Sequence, residues 1–68
     1  MMENTIRVER AKKKITQAEL AEKVNVSRQT IHAIETGKFI PSTVLALKIA
    51  RFFKVNLEDI FILDDNDD

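Results

Sequence analysis

Residues 17–36 constrain the fold more than any other part of the chain. Their apolar side chains are spaced so that two short helices, joined by a tight turn, can bury one common seam. Thr16 and Glu19 form a capping box that starts the first of these helices, and Ser27 can cap the second. Gly37 supplies the left-handed residue that ends the second helix. The residues of the common seam are Leu20, Ala21, Val24, Val26, Ile31 and Ile34.

The size and composition of the chain indicate one small domain without covalent or metal cross-links. Its 68 residues lie near the length at which a single hydrophobic core is only marginally stable. With 44% hydrophobic residues, one Gly and one Pro, the composition is typical of a helical bundle rather than of a disordered chain. There is no Cys, so neither a disulfide nor a thiolate metal site can stabilise the domain. Domains of this kind often gain stability by dimerising.

Five helical segments can be placed along the chain, which predicts an all-α fold. The first covers about residues 4–13, and the second and third lie within residues 17–36. Ser42 caps the fourth, which is apolar on nearly all sides, so it is either central to the core or partly buried by a partner. Asn56 caps a short fifth helix. We expect a compact five-helix bundle with a central helix-turn-helix in residues 1–63, and the termini leave room for a short extended segment.

The charges of the chain are segregated, although its formal net charge is zero. Four of the last five residues are aspartates, and without them 11 basic residues face 7 acidic ones, so residues 1–63 carry a net charge of +4. This basic balance is compatible with a nucleic-acid partner. We expect the acidic tail, residues 64–68, to be disordered. The densest basic cluster is Arg10, Lys12, Lys13 and Lys14.

The sequence offers no enzyme, metal or small-molecule site. It has no glycine-rich phosphate loop and no nucleophile–base pair, and its carboxylates fall at helix starts or in the tail. His32 is the single histidine, and without Cys it cannot assemble a metal site. We therefore predict no catalytic residue, metal, cofactor or small-molecule ligand. No signal peptide or long apolar run is visible, so we expect a cytoplasmic protein without a membrane partner.

The second helix of the motif displays polar side chains on the side away from the seam. Arg28, Gln29 and His32 occupy that outer side. Arg and Gln are the side chains that read guanine and adenine edges bidentately in the major groove. The pattern therefore indicates a DNA-binding helix-turn-helix. The alternative for each of the three residues is an ordinary solvated position.

Matches to a known pattern run through almost the whole chain, from about residue 6 to residue 61. The matching residues are Gln17-Ala18-Glu19-Leu20-Ala21, Val24, Val26-Ser27-Arg28-Gln29-Thr30-Ile31, Ile34-Glu35, Gly37-Lys38, Pro41-Ser42, Leu47-Lys48-Ile49-Ala50 and Leu57-Glu58-Asp59-Ile60-Phe61. With them the sequence resembles the Cro and C1 phage-repressor helix-turn-helix family, and most of all its minimal single-domain regulators. The resemblance implies a lambda-repressor-like DNA-binding domain that acts as a homodimer. It also implies control of transcription, with repression the main expectation, at a palindromic operator in double-stranded DNA.

The resemblance also implies roles for individual residues. Base edges are implied to be contacted by Arg28, Gln29, His32 and Ala33. Phosphates are implied to be contacted by Gln17, Ser27, Thr30, Thr36, Lys38 and Ser42. Arg10 and Glu35 match a pair that forms an internal salt bridge in the family. A structural role suits Glu35, since a carboxylate that faced phosphates would be repelled.

Three apolar residues after the fifth helix, Phe61, Ile62 and Leu63, predict a dimer interface because little of the chain follows to cover them. A two-fold contact would bury the same patch from both copies and fix the separation of the two outer helices. Met1 and Met2 could join this patch by pairing of extended segments. The alternative is that the three residues fold back onto the fourth helix of their own chain.

Two further functions are compatible with the sequence. The antitoxin of a toxin–antitoxin pair would bind DNA and use the exposed apolar end to hold another protein. A protein-interaction module would use the same fold without binding DNA. The outward positions of Arg28 and Gln29 argue against the second of these functions.

Overall fold

The computed structural model describes residues 2–64, and these contain five helices and a two-stranded sheet. The expected helical architecture with short extended segments near the termini is confirmed. Met1 and residues 65–68 lie outside the described residues, and so do the expectations placed on them, including disorder of the acidic tail. In chain order the elements are β1 (Glu3–Asn4), α1 (Ile6–Lys13), α2 (Gln17–Lys23), α3 (Arg28–Glu35), α4 (Thr43–Phe53), α5 (Leu57–Ile60) and β2 (Phe61–Ile62).

The ends of α2 and α3 are set by the local hydrogen bonds that the sequence predicts. Thr16 Oγ1 accepts a hydrogen bond from Glu19 N at 3.0 Å, and Glu19 Oε1 accepts one from Thr16 N at 2.8 Å, so the capping box is present. Ser27 Oγ accepts one from Thr30 N at 3.2 Å at the start of α3. Gly37 follows α3 with a φ of 79°, in the left-handed region where a residue without Cβ is least strained.

The last two helices begin in different ways. Ser42 Oγ accepts a hydrogen bond from Leu45 N at 3.2 Å, which confirms the cap predicted for α4. Asn56 occupies the N-cap position of α5, but its side chain makes no capping hydrogen bond, so that part of the prediction is wrong. The single turn of α5 is instead closed by the backbone, since Asp59 N donates to Asn56 O at 2.9 Å.

The core is built around the predicted seam of α2 and α3. Five of the six seam residues are buried, and the sixth, Val26, is half-buried. Burying one large aliphatic side chain stabilises the fold by about 1.5–3 kcal/mol, so this core holds the inner side of α3 firmly. The largest fully buried side chains are Ile6, Leu20, Ile31, Ile34, Ile49 and Ile60, which come from α1 to α5.

The two ends of the described chain pair with each other. β1 and β2 are antiparallel, with Glu3 opposite Ile62 and Asn4 opposite Phe61. This pairing directs the Phe61 side chain into the core, where it is 7% exposed. The expectation that Phe61 lies at an exposed dimer interface is therefore corrected. Ile62 and Leu63 keep 42% and 66% of their surface exposed.

Helix α1 begins at Ile6, two residues later than the sequence predicts, because Asn4 has another role. Asn4 Oδ1 accepts a hydrogen bond from Ile6 N at 3.2 Å, which helps to start the helix from outside it. Asn4 Nδ2 donates to Ile34 O at 2.8 Å. The side chain of Asn4 thus ties β1 to the C-terminal end of α3.

Candidate nucleic-acid interface

Helix α3 presents a polar surface because its apolar side chains are turned into the core. Ile31 and Ile34 are 0% and 1% exposed, whereas Arg28, Gln29 and His32 are exposed. The first turn of α3 contains no acidic residue, and a helix N-terminus carries a partial positive charge. The outer side of α3 therefore combines hydrogen-bonding side chains with a positive local field, as an approach to a polyanion requires.

Gln17 at the start of α2 contacts three side chains of α3. Its Oε1 accepts a hydrogen bond from Arg28 Nη1 at 3.3 Å, and its Nε2 donates to Glu35 Oε1 at 3.0 Å. The same Nε2 lies 3.3 Å from His32 Nδ1. An amide nitrogen can only donate, so this contact is a hydrogen bond in the tautomer whose Nδ1 accepts and whose ring proton lies on Nε2. His32 thereby offers an N–H donor from the ring nitrogen opposite the one that Gln17 contacts.

The sequence did not predict this network, because 11 to 18 residues separate Gln17 from its partners. Both hydrogens of the Gln17 amide have acceptors within the protein. The phosphate contact predicted for Gln17 would therefore need one of these hydrogen bonds to be exchanged. The backbone N–H of Gln17 is a second route, since the first N–H groups of a helix lack intrahelical partners.

The other predicted phosphate-binding residues differ in what their side chains can still donate. Lys38 and Ser42 are exposed, and Ser42 Oγ accepts at the α4 cap, which leaves its own hydrogen for an outside acceptor. Ser27 Oγ and Thr30 Oγ1 lie 3.0 Å apart and share one hydrogen bond. Thr36 Oγ1 already donates to His32 O at 2.9 Å, so a phosphate contact from Thr36 requires its hydroxyl to rotate.

Ala33 is the fourth residue expected at base edges, and it is half-buried. Its methyl group can offer only an apolar contact, such as one with the methyl of thymine. Its carbonyl oxygen accepts hydrogen bonds from Lys38 N at 2.9 Å and from Phe39 N at 3.2 Å, which places the loop after α3 close to this residue.

The basic cluster of α1 is partly engaged within the protein. Lys12 Nζ lies 3.2 Å from Glu9 Oε2, in an ion pair whose lysine is exposed and whose glutamate is half-buried. Lys13 Nζ lies 5.7 Å from the centroid of the Phe52 ring, within the range of a cation–π contact. Arg10 turns toward Glu35. These three side chains of the cluster therefore contact different partners within the protein.

Arg10 and Glu35 form a two-pronged ion pair between α1 and α3. Arg10 Nε donates to Glu35 Oε2 at 2.6 Å, and Nη2 donates to Oε1 at 3.1 Å. The two side chains are 16% and 2% exposed, respectively. Arg10 Nη1 also donates to Ile15 O at 3.1 Å, so each nitrogen of the guanidinium has a partner. The pair fixes the C-terminal end of α3 against α1.

The pKa of Glu35 reflects a competition between burial and its partners. Burial by itself would raise the pKa of this carboxyl. Hydrogen bonds from Arg10 and Gln17, together with the charge of the guanidinium, outweigh burial and hold the pKa below its ordinary value. The pKa of Arg10 is raised, chiefly by its hydrogen bond to Glu35. The folded protein therefore keeps Glu35 as a carboxylate.

This lowered pKa predicts a loss of stability in acid. The unfolded carboxyl binds its proton at a higher pH than the folded one, so Glu35 stabilises the fold fully above its ordinary pKa and progressively less as the pH falls through the folded pKa. We expect the stability advantage of wild type over Glu35→Gln to shrink between about pH 6 and pH 3. Thermal melts of both proteins across this range measure this advantage. Because the two proteins share all other acidic residues, the difference between their stabilities cancels the contribution of those residues. An advantage that stayed constant would contradict the assignment.

Residues 2–64 give no sign of other kinds of site. Across this stretch no group of three or more His, Cys, Asp or Glu side chains is placed to hold a metal ion. In the same stretch no helix is both long enough and apolar enough to cross a membrane. Besides the polar side of α3, large apolar side chains are exposed on α4, in the loop after α3 and in the C-terminal segment.

Comparison with known proteins agrees with this geometry. A family model described as helix-turn-helix matches residues 6–60. An uncharacterized HTH-type transcriptional regulator of Methanocaldococcus jannaschii is 54% identical over 66 residues, covering 97% of this chain and 100% of that protein. An uncharacterized HTH-type transcriptional regulator of Archaeoglobus fulgidus is 53% identical over 66 residues, covering 97% of this chain and 94% of that protein.

A solved structure shares the same fold. It is the crystal structure of a "putative DNA-binding protein" from Bacteroides fragilis, and it superposes with a TM-score of 0.79 at 33% sequence identity. The match covers 90% of this chain and 98% of that one. The helical arrangement that exposes α3 is thus seen in a protein of similar length.

Proposed function

Because this chain belongs to the helix-turn-helix family of DNA-binding transcriptional regulators, we propose that it is a sequence-specific repressor that binds a palindromic operator as a homodimer. The observation that carries the proposal is the outer side of α3. That side is held by a part-buried ion pair and a buried seam, and it exposes Arg28, Gln29 and His32. In this proposal α3 lies in the major groove, and a second copy places its α3 about 34 Å further along the duplex.

Direct base reading is assigned to the residues at the N-terminal end of α3. Arg28 suits a guanine, whose O6 and N7 accept two hydrogen bonds from one guanidinium, and Gln29 suits an adenine. His32 lies one turn further along and donates from Nε2, so its proper partner is an acceptor such as guanine N7 or a phosphate oxygen. The hydrogen bond between Arg28 and Gln17 restrains the guanidinium before DNA is bound.

Backbone contacts are assigned to residues that flank α3. Lys38 follows the helix, and Ser42 caps α4 with a hydroxyl hydrogen still to donate. Such contacts orient the domain on the duplex but carry no sequence information.

The Lys38 assignment predicts a change in salt dependence. Lys38→Ala should weaken binding to specific and random duplexes alike, because a phosphate partner is lost from both. The slope of log K against log salt should fall in magnitude by roughly one for each subunit. Fluorescence anisotropy at several salt concentrations measures the slope. Lys23→Ala is the control, since Lys23 is exposed at the C-terminal end of α2, whereas Gln17 lies at its N-terminal end. A slope unaltered by Lys38→Ala would exclude this phosphate contact.

Repression follows from occupancy in this proposal, since a dimer seated over a promoter excludes polymerase from it. A reporter gene whose promoter overlaps the bound sequence tests the direction of control. Expression that falls when the wild-type protein is supplied, and recovers with Arg28→Ala, supports a repressor. Expression that rises identifies an activator and refutes this part of the proposal.

A further inference from the structure

Helix α4 carries an exposed groove that the DNA-binding surface does not use. Val44 and Leu47 are 64% and 51% exposed, although both are large and apolar. With Lys48 and Arg51 they line a shallow groove of about 470 Å³. Positions 44, 47, 48 and 51 share one side of a helix, so this is a continuous strip with an apolar beginning and a cationic end. We call it the α4 groove.

The charges of the α4 groove restrict what can cover it. Two copies packed in parallel through the same groove would bring Lys48 and Arg51 close to the same residues of the other copy, and like charges at short range repel. Packed antiparallel, the two cations would face Val44 and Leu47 of the other copy without a counter-charge. A fitting occupant has apolar side chains for Val44 and Leu47 and acidic ones for the cationic end. It therefore differs in chemistry from the groove itself.

The C-terminal segment of this chain has that chemistry in the same order. Ile62 and Leu63 are 42% and 66% exposed, because β2 turns only Phe61 into the core. Four aspartates follow within residues 64–68. The segment thus offers two apolar side chains and then a run of negative charge, which is complementary to the α4 groove.

Within its own chain, the start of this segment lies away from the α4 groove. Asp64 lines a cavity with Gly37 and Thr36, at the C-terminal end of α3. The α4 groove instead continues past Lys48 and Arg51 toward residues 23–25 at the end of α2. Among the described residues, none from the C-terminal segment lines the α4 groove. We therefore consider the same segment of a second copy as the occupant of the groove.

We propose that two copies dimerise by docking the C-terminal segment of each, from Ile62 onward, into the α4 groove of the other. The proposal rests on the homodimer of the proposed function and gives it a surface. The contact is isologous, because each copy supplies one segment and one groove to a two-fold interface. It buries side chains that the monomer leaves exposed and pairs the cationic end of each groove with aspartates.

A matched pair of substitutions tests the groove. Leu47 and Val8 are 51% and 52% exposed on helices, and only Leu47 lies in the α4 groove. Leu47→Asp should weaken the dimer by at least about tenfold, since it places a charge in an apolar contact and repels the acidic segment. Val8→Asp should leave the dimer unchanged. Sedimentation velocity over a concentration series, without DNA, measures both. Equal dimerisation of the two variants would overturn the proposal.

A charge exchange between copies tests the partner segment. The groove variant carries Lys48→Glu and Arg51→Glu, and the tail variant carries Asp65→Lys, Asp67→Lys and Asp68→Lys, which leaves one acidic and three basic side chains in residues 64–68. Each variant alone opposes like charges and should sediment mainly as a monomer. An equimolar mixture should form a heterodimer, because both of its segment–groove contacts are again complementary. Thermal melts of each variant check that the fold is kept.

The outcomes of this exchange are distinct. Failure of the mixture to dimerise, or dimers of each variant as stable as wild type, would overturn docking between copies. If the wild type dimerises but the mixed charge variants do not, the homodimer forms through another surface and the docking proposal is wrong. Titration of wild type with a random duplex is independent of this result, so loss of the docking contact is not confused with loss of DNA binding.

Discussion

Replacing Glu35 with alanine should lower the free energy of unfolding by about 3 kcal/mol in the absence of DNA. The change leaves the guanidinium of Arg10, which is only 16% exposed, with Ile15 O as its remaining partner. It also removes an acceptor of Gln17. An uncompensated charge in a partly dry site costs far more than a surface ion pair contributes. Melting temperatures of small domains fall by roughly 4–8 °C for each kcal/mol, so the shift is readily measured.

Two further variants serve as controls for Glu35→Ala. Glu22→Ala removes an exposed carboxylate on α2, and exposed substitutions usually change the free energy of unfolding by less than about 0.5 kcal/mol, so its melting temperature should scarcely change. Glu35→Gln retains an acceptor for Arg10 and should lie between Glu35→Ala and wild type. A Glu35→Ala protein as stable as wild type, defective only in DNA binding, would refute the structural role of the pair.

Replacing Arg28 with alanine should cost about 1–3 kcal/mol at the preferred duplex and much less on random DNA. Arg28 is exposed in the first turn of α3, and its Nη1 donates a hydrogen bond to Gln17 Oε1 at 3.3 Å. A bidentate pair with guanine depends on the planar fork of the guanidinium. The preference for one base should therefore be lost at a single position of each half-site.

Arg28→Lys is the informative control for base reading. It keeps the positive charge but not the fork, so random-duplex affinity should be largely retained while discrimination at that base is lost. Competition binding with duplexes that differ at one base pair measures both quantities. Equal losses on preferred and random duplexes in Arg28→Ala would show that Arg28 contacts only the backbone.

The parts of the fold that sequence alone could predict are those set by near neighbours. The capping box of Thr16 and Glu19 and the cap of Ser27 depend on residues three positions apart, and Gly37 depends only on its own backbone freedom. The seam of α2 and α3 follows from helical periodicity. For this reason the exposed side of α3 could be predicted from the sequence.

The parts that sequence could not predict depend on distant contacts. The sequence predicts that Asn4 starts a helix. Its side-chain amide instead donates a hydrogen bond to Ile34 O, which is 30 residues away. The sequence predicts that Phe61 is exposed. Its side chain is buried in the core because β2 pairs with β1, which places Phe61 opposite Asn4. The network of Gln17 has no local signal, because α2 and α3 must first pack before its amide can meet His32 and Glu35.

In the proposed function, this protein reads a two-fold symmetric DNA sequence through α3. Selection of bound duplexes from a random library, with wild-type protein at stated salt, tests that claim most directly. We expect enrichment of an inverted repeat whose half-site centres lie about 10–10.5 base pairs apart, or a whole number of turns more. In a parallel selection, Arg28→Ala should relax one position in each half-site. Recovery of no common sequence, or of one without an inverted repeat, would contradict the account.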